Sequence, residues 1–173
     1  MKVETYTIKG WEEKETGLLI DENEDWILVK HIPVDYVIDG YRLYRKNTIQ
    51  KRKSKSKEEK IARVLRLKNI EIKAPSTFKF TNSIDILRWC EQQYGLFEFQ
   101  DTEASLFYGK LSSATDHIFI IDMIQPDGSI EKQYNYDFLP SDIVSITFET
   151  DYFESIRLLM NDELRKGSTL LKI

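Results

Sequence analysis

Apolar and polar residues alternate over much of the chain, and the spacing changes to a helical period in three places. Trp26-Ile27-Leu28-Val29 and Ile118-Phe119-Ile120-Ile121 are compact apolar runs of the kind that form buried strands. Each follows a polar turn, Asn23-Glu24-Asp25 in one case and Ser113-Ala114-Thr115-Asp116 in the other. A glycine and an alternating leucine precede each turn, Gly17 with Leu18-Leu19 and Gly109 with Leu111. Residues 17–32 therefore lie over 109–124 without a gap, and the chain reads as an internal repeat.

The parallel continues downstream. Asp39-Gly40 and Pro126-Asp127-Gly128 are turn signals, and residues 41–44 and 130–134 alternate like strands. Further short strands are predicted at 48–51, 143–148 and 96–99. Three helices follow from the pattern. Ser56-Lys57-Glu58-Glu59 is a capping box ahead of Ile61, Val64 and Leu65. Asn82 to Asp85 opens a helix carrying Ile86, Leu87, Cys90 and Tyr94, closed by Gly95. Thr150 or Asp151 caps a third, with Phe153, Ile156, Leu159 and Met160 on one side. Lys166-Gly167-Ser168 reads as its stop, with a last short strand over 169–173.

The fold class expected is α+β, mainly β: two tandem small β-barrel units, each followed by a helix, with a connecting helix between them. Ala74-Pro75-Ser76-Thr77 breaks regular structure and sets the boundary. Residues 1–74 form the first unit with its helix; residues 75–173 hold the connecting helix, the second unit and the C-terminal helix.

Two such units resemble Sm-like or SH3-like barrels. Gly17 and Gly109 stand where the Sm family has an early strand glycine. Leu43-Tyr44-Arg45-Lys46-Asn47-Thr48-Ile49 is similar to its second motif, with Lys46 in place of glycine; Leu139-Pro140-Ser141-Asp142-Ile143 is more distant. The family's Asp-x-x-Met-Asn signature is absent, Asp122-Met123 being a fragment of it. The resemblance implies a barrel, and single-stranded RNA binding only through Arg45 and Asn47.

Composition narrows the function. The chain has 173 residues, 41% of them hydrophobic, with one Cys and two His, which excludes a disulfide scaffold and a Cys/His zinc site. The opening Met1-Lys2-Val3-Glu4-Thr5 does not read as a signal peptide, and no apolar run suits a membrane span, so a cytoplasmic protein is expected. No phosphate loop, nucleophile elbow or zinc-protease motif is present, and no cofactor is implied. His31 and His117 lack a nucleophile at a recognisable spacing, and Cys90 reads as a buried thiol. Asp21, Glu22, Glu24 and Asp25 crowd one turn without the spacing of a calcium loop. An enzyme is not expected.

Charge changes the picture more. The net charge is −4, yet residues 42–73 hold 13 Lys and Arg against 3 acids, a block of +10 on a remainder of −14. Tyr41, Tyr44, Arg45, Lys46, Lys51, Arg52, Lys53 and Lys55 place aromatics beside cations, which suits single-stranded nucleic acid. Two functions are thus in view. One is a non-catalytic interaction module for a protein partner or its own copy. The alternative is RNA or single-stranded nucleic-acid binding through the basic segment. Solvent-facing Tyr41 and Tyr44 favour nucleic acid; covered ones favour the module.

Overall fold

The alternating runs form ten strands, and all of them belong to one sheet. The computed structural model describes residues 1–170, with side chains through Gly167. The first half supplies β1 (Val3–Ile8), β2 (Glu15–Glu22), β3 (Trp26–His31), β4 (Tyr41–Arg45) and β5 (Ile49–Lys53), then α1 (Ser56–Leu67). The second half opens with α2 (Ser83–Tyr94). It continues through β6 (Phe97–Gln100), β7 (Leu106–Ala114), β8 (Phe119–Ile124), β9 (Ile130–Glu131) and β10 (Ser145–Phe148) to α3 (Asp151–Leu170). The strand order is β5-β1-β2-β3-β4-β10-β6-β7-β8-β9, with antiparallel neighbours.

The expected pair of closed barrels is therefore wrong: the structure is a single open ten-stranded sheet with three helices. A barrel closes only when the outer strands of one half meet each other. Here β4 turns its free edge to β10 of the other half, with Leu43 opposite Ile146 and Tyr44 opposite Ser145. Strand β5 is left pairing β1 alone, and β9 pairs β8 alone.

The repeat survives this correction. Each half has the same order, its fifth strand beside its first. A Cβ on Gly17 would lie 2.5 Å from Val29 Cγ2, and one on Gly109 would lie 3.1 Å from Ile121 Cδ1. Close approach of the next strand leaves no room for a Cβ at Gly17 and little at Gly109, at positions the repeat aligns. The β2–β3 ladder slips between Leu19 and Asp21, and β7–β8 slips between Leu111 and Ser113. Those bulges are also equivalent positions. The turns match too: Asn23 Oδ1 accepts from Trp26 N–H at 2.8 Å, and Thr115 Oγ1 accepts from Ile118 N–H at 3.1 Å.

The strand predicted over 130–134 shortens to Ile130–Glu131 because Gln133 takes a left-handed conformation, φ 49°, and its N–H turns to Asp122 Oδ1. The helices fall close to their expected places. Glu58 accepts from Lys55 N–H at 2.9 Å, one residue before the predicted cap, and from Thr5 Oγ1 at 2.8 Å, which ties α1 to β1. Asn82 caps α2 and Gly95 ends it at φ 84°. Thr150 Oγ1 accepts from Phe153 N–H to start α3. The predicted stop at Lys166-Gly167-Ser168 does not end α3, which runs to Leu170. Of the final strand expected over 169–173, the first two residues are helical and the last three lie outside the described residues.

One apolar cluster crosses the junction of the halves. Trp26, Leu28 and Leu43 from the first half pack with Phe97, Phe99 and Phe148 from the second, roofed by α2 and α3. Val3, Leu18 and Ile32 form a smaller cluster under Ile61, Ala62 and Leu65 of α1. Among the described residues no helix is long and apolar enough to cross a membrane.

Candidate functional site

Strands β4 and β5 and helix α1 carry the basic block, and the structure divides it in two. The strand half is engaged internally. Arg42 Nη1 donates to Glu15 Oε2 at 2.8 Å and its Nε to Thr147 Oγ1 at 3.0 Å. Arg45 lies over the Trp26 ring, 4.7 Å from its centroid, and donates to the carbonyls of Ile143 and Pro140 at 2.7 Å each and to Ser83 Oγ at 2.6 Å. Both arginines bind the halves together.

The other cations named from the sequence separate likewise. Lys46 pairs with Glu22 at 2.8 Å. Arg52 pairs with Glu4 at 2.6 Å and Glu22 at 2.8 Å. Hydrogen bonds from Arg52, then Lys46, hold the Glu22 carboxyl down to about 2. Burial would raise the Glu4 carboxyl, but bonds from Arg52, Lys2 and Tyr6 outweigh it and leave its pKa lowered. Lys53 reaches Glu58 at 3.5 Å. Only Lys51 and Lys55 are exposed without an acidic partner among the described residues.

The two tyrosines are covered. Tyr44 is 0% exposed, lies 5.2 Å from the Tyr6 ring and donates to Glu15 Oε2 at 3.1 Å. Tyr41 is half-buried, stacked on Phe148 at 5.5 Å, with its hydroxyl on the Lys73 carbonyl. Three of the eight, Lys46, Lys51 and Arg52, line one groove with Ile27, Ile49 and Gln50, while Tyr41 stacks on Phe148 and Tyr44 is buried.

Helix α1 behaves differently. Ile61, Ala62 and Leu65 turn inward with Glu58, which is 1% exposed. That leaves Lys57, Lys60, Arg63 and Arg66 exposed, with Glu59 the sole exposed acid of the helix. None of these four cations has an acidic partner within ion-pair distance among the described residues. Lys68 donates to the Tyr36 carbonyl at 2.9 Å, holding loop 33–37 beside α1. Between them lies a groove of about 340 Å³ lined by Asp35, Tyr36, Ser56, Lys57, Lys60 and Ile61. Exposed apolar side chains lie on its loop, Val34, Tyr36 and Val37, and Leu67 at the far end of α1 is 74% exposed. The signal for this face was present in the sequence, since helical spacing that buries Ile61 and Leu65 turns Lys60 and Arg63 outward.

His31, Cys90 and Glu98 are buried. His31 Nδ1 is buried without a hydrogen bond, 3.9 Å from Glu15 Oε2. Burial, with Arg42 adding to it, pushes the imidazole down to about 3, so it stands neutral. Cys90 is buried and its thiol is pushed up, by burial first and Glu98 second. Glu98, 3% exposed, accepts from the Tyr108 hydroxyl, and burial raises its carboxyl. His117 is exposed on a turn. In the acidic turn Asn23 makes the turn bonds and Glu22 faces Arg52 and Lys46; among the described residues no cluster of three metal-ligating side chains forms.

Comparison with protein-family models, curated proteins and solved structures finds no match for this chain.

Proposed function

We propose that the protein is a non-catalytic binding module whose docking surface is the outer face of α1 with loop 33–37. The observation that carries this reading is the partition of the basic block. Arg42, Lys46, Arg52 and Lys53 face Glu15, Glu22, Glu4 and Glu58, with Lys51 left exposed on β5, while the α1 cations face solvent near apolar side chains. A cationic surface with apolar contacts suits an acidic protein partner, because charge steers the approach and apolar burial holds the complex. Glu98 and Cys90 support the non-catalytic part, since both are buried, whereas His31, with no hydrogen bond at Nδ1, lines a groove of about 410 Å³ with Glu15, Thr16, Arg42 and Gln100.

Nucleic acid is the weaker reading. Single-strand binding draws on several open aromatic faces; Tyr41 and Tyr44 are covered, and the α1 face offers a single exposed ring, Tyr36, beside Lys57 and Lys60. A backbone amide titration with poly-L-glutamate tests the module. Shifts confined to α1 and loop 33–37 are expected; shifts centred on β5, or none, contradict it.

A further inference from the structure

The groove that His31 lines, about 410 Å³, opens beside the α1 groove and shares Asp35, Lys57 and Ile61 with it. Its size falls in the range of small-ligand pockets, about 300–1,000 Å³. The floor comes from one face of the sheet. Gly17, two residues after Glu15 on β2, pairs with His31 of β3, and Val29, two before His31, pairs with Arg42 of β4. Strand side chains alternate, so Glu15, His31 and Arg42 project together. Gln100, at the end of β6, lines the same groove.

This floor is an ion pair with an uncommitted atom on each side. Glu15 Oε2 accepts from Arg42 Nη1 at 2.8 Å and from the Tyr44 hydroxyl at 3.1 Å, while Arg42 Nε donates to Thr147. Among the described residues, Glu15 Oε1 accepts no hydrogen bond and Arg42 Nη2 donates none. His31 lies against the pair, 8% exposed, its Nδ1 without a hydrogen bond and 3.9 Å from Glu15 Oε2. Burial first and Arg42 second keep the imidazole neutral, and a neutral ring nitrogen can accept. Buried polar atoms without a partner are rare in folded proteins. One donor nitrogen about 2.9 Å from each acceptor spans the 3.9 Å between Nδ1 and Oε2. The rim repeats both signs: Lys14 and Lys57 stand against Glu13 and Asp35, all exposed and none in an ion pair among the described residues.

We propose that this groove binds a small zwitterion, a free α-amino acid, with its carboxylate on Arg42 and its ammonium between Glu15 and His31. A simple anion would be opposed by Glu13, Glu15 and Asp35, and a simple cation by Lys14, Arg42 and Lys57. An α-amino acid carries the two charges on neighbouring groups, as the Arg42–Glu15 pair does in the opposite sense. The site goes beyond the α1 reading and does not depend on it.

Thermal melting of the full chain with each common L-α-amino acid at about 5 mM tests this, because a ligand of the folded state raises the melting temperature. At least one is expected to do so saturably, and to move the amide signals of Thr16, His31 and Gln100. Its N-acetyl form lacks the ammonium and its carboxamide lacks the carboxylate, so each is expected to bind about tenfold more weakly or worse. Glu15→Gln keeps a carbonyl for Arg42 and Tyr44 but removes the charge, and is expected to weaken binding about tenfold as well. No binding by any amino acid, equal binding of the blocked forms, signals moving only elsewhere, or a folded Glu15→Gln that binds as wild type overturns the inference. If Glu15→Gln does not fold, the blocked ligands and the amide map on the wild-type chain decide it.

Discussion

Arg42 Nε on β4 donates to Thr147 Oγ1 on β10 at 3.0 Å, across the strand pair that makes one sheet of two halves. The same guanidinium meets Glu15 at 2.8 Å, and side-chain exposure is 13% and 15% for the two partners. Removing one member of such a covered pair leaves the other charge uncompensated. Arg42→Ala should destabilise the fold by about 3–5 kcal/mol, and Thr147→Val by about 1 kcal/mol. Urea unfolding of both variants checks the ranking; a smaller loss for Arg42→Ala than for Thr147→Val would contradict it.

The repeated glycines differ in how little room they leave. A Cβ at Gly17 meets Val29 at 2.5 Å, inside any real contact, whereas at Gly109 the nearest atom is Asp122 O at 3.0 Å. Gly17→Ala should cost about 1–3 kcal/mol through overpacking, and Gly109→Ala should cost less. Pairing Gly17→Ala with Val29→Ala should recover none of the loss, because Val29 Cβ itself lies 2.6 Å from the new methyl. Thermal melts of the two single variants and the pair measure it.

His31 makes stability depend on pH. Its folded pKa lies near 3, below the ordinary 6.5, so the unfolded chain takes up the proton first. The neutral form's contribution is complete above about 6.5 and is lost as pH falls toward 3. Over that window stability should decline by up to about 1.4 kcal/mol per pH unit from this group. Urea midpoints from pH 7 to pH 4 should fall in wild type and fall less steeply in His31→Leu. Parallel curves would refute the assignment.

Local structure was legible where the signal is local. Asn82 and Gly95 delimit α2 as the sequence indicated, and the aligned glycines and turns of the repeat recur in register. What decides the architecture is not local. β4 alternates Tyr, Leu and Arg and β10 is largely apolar, and nothing in either run states that they choose each other over closure within their own half. The basic site was misdrawn for the same reason. Arg42, Arg45 and Arg52 read as surface cations until the fold brings Glu15, the Ile143 carbonyl and Glu4 to them. Strand β1 drew no expectation, although Val3, Tyr6 and Ile8 supply its buried positions.

The division of the basic block is tested most directly on immobilised heparin, with salt at elution as the measurement. Lys60→Ala/Arg63→Ala should elute at clearly lower salt than wild type with an unchanged melting temperature, because neither side chain has an acid within ion-pair distance among the described residues. Lys46→Ala/Arg52→Ala should elute close to wild type yet melt lower, having left Glu4 and Glu22 without their partners. The reverse pattern, with early elution following the strand substitutions and not the helix ones, would contradict the assignment of docking to α1.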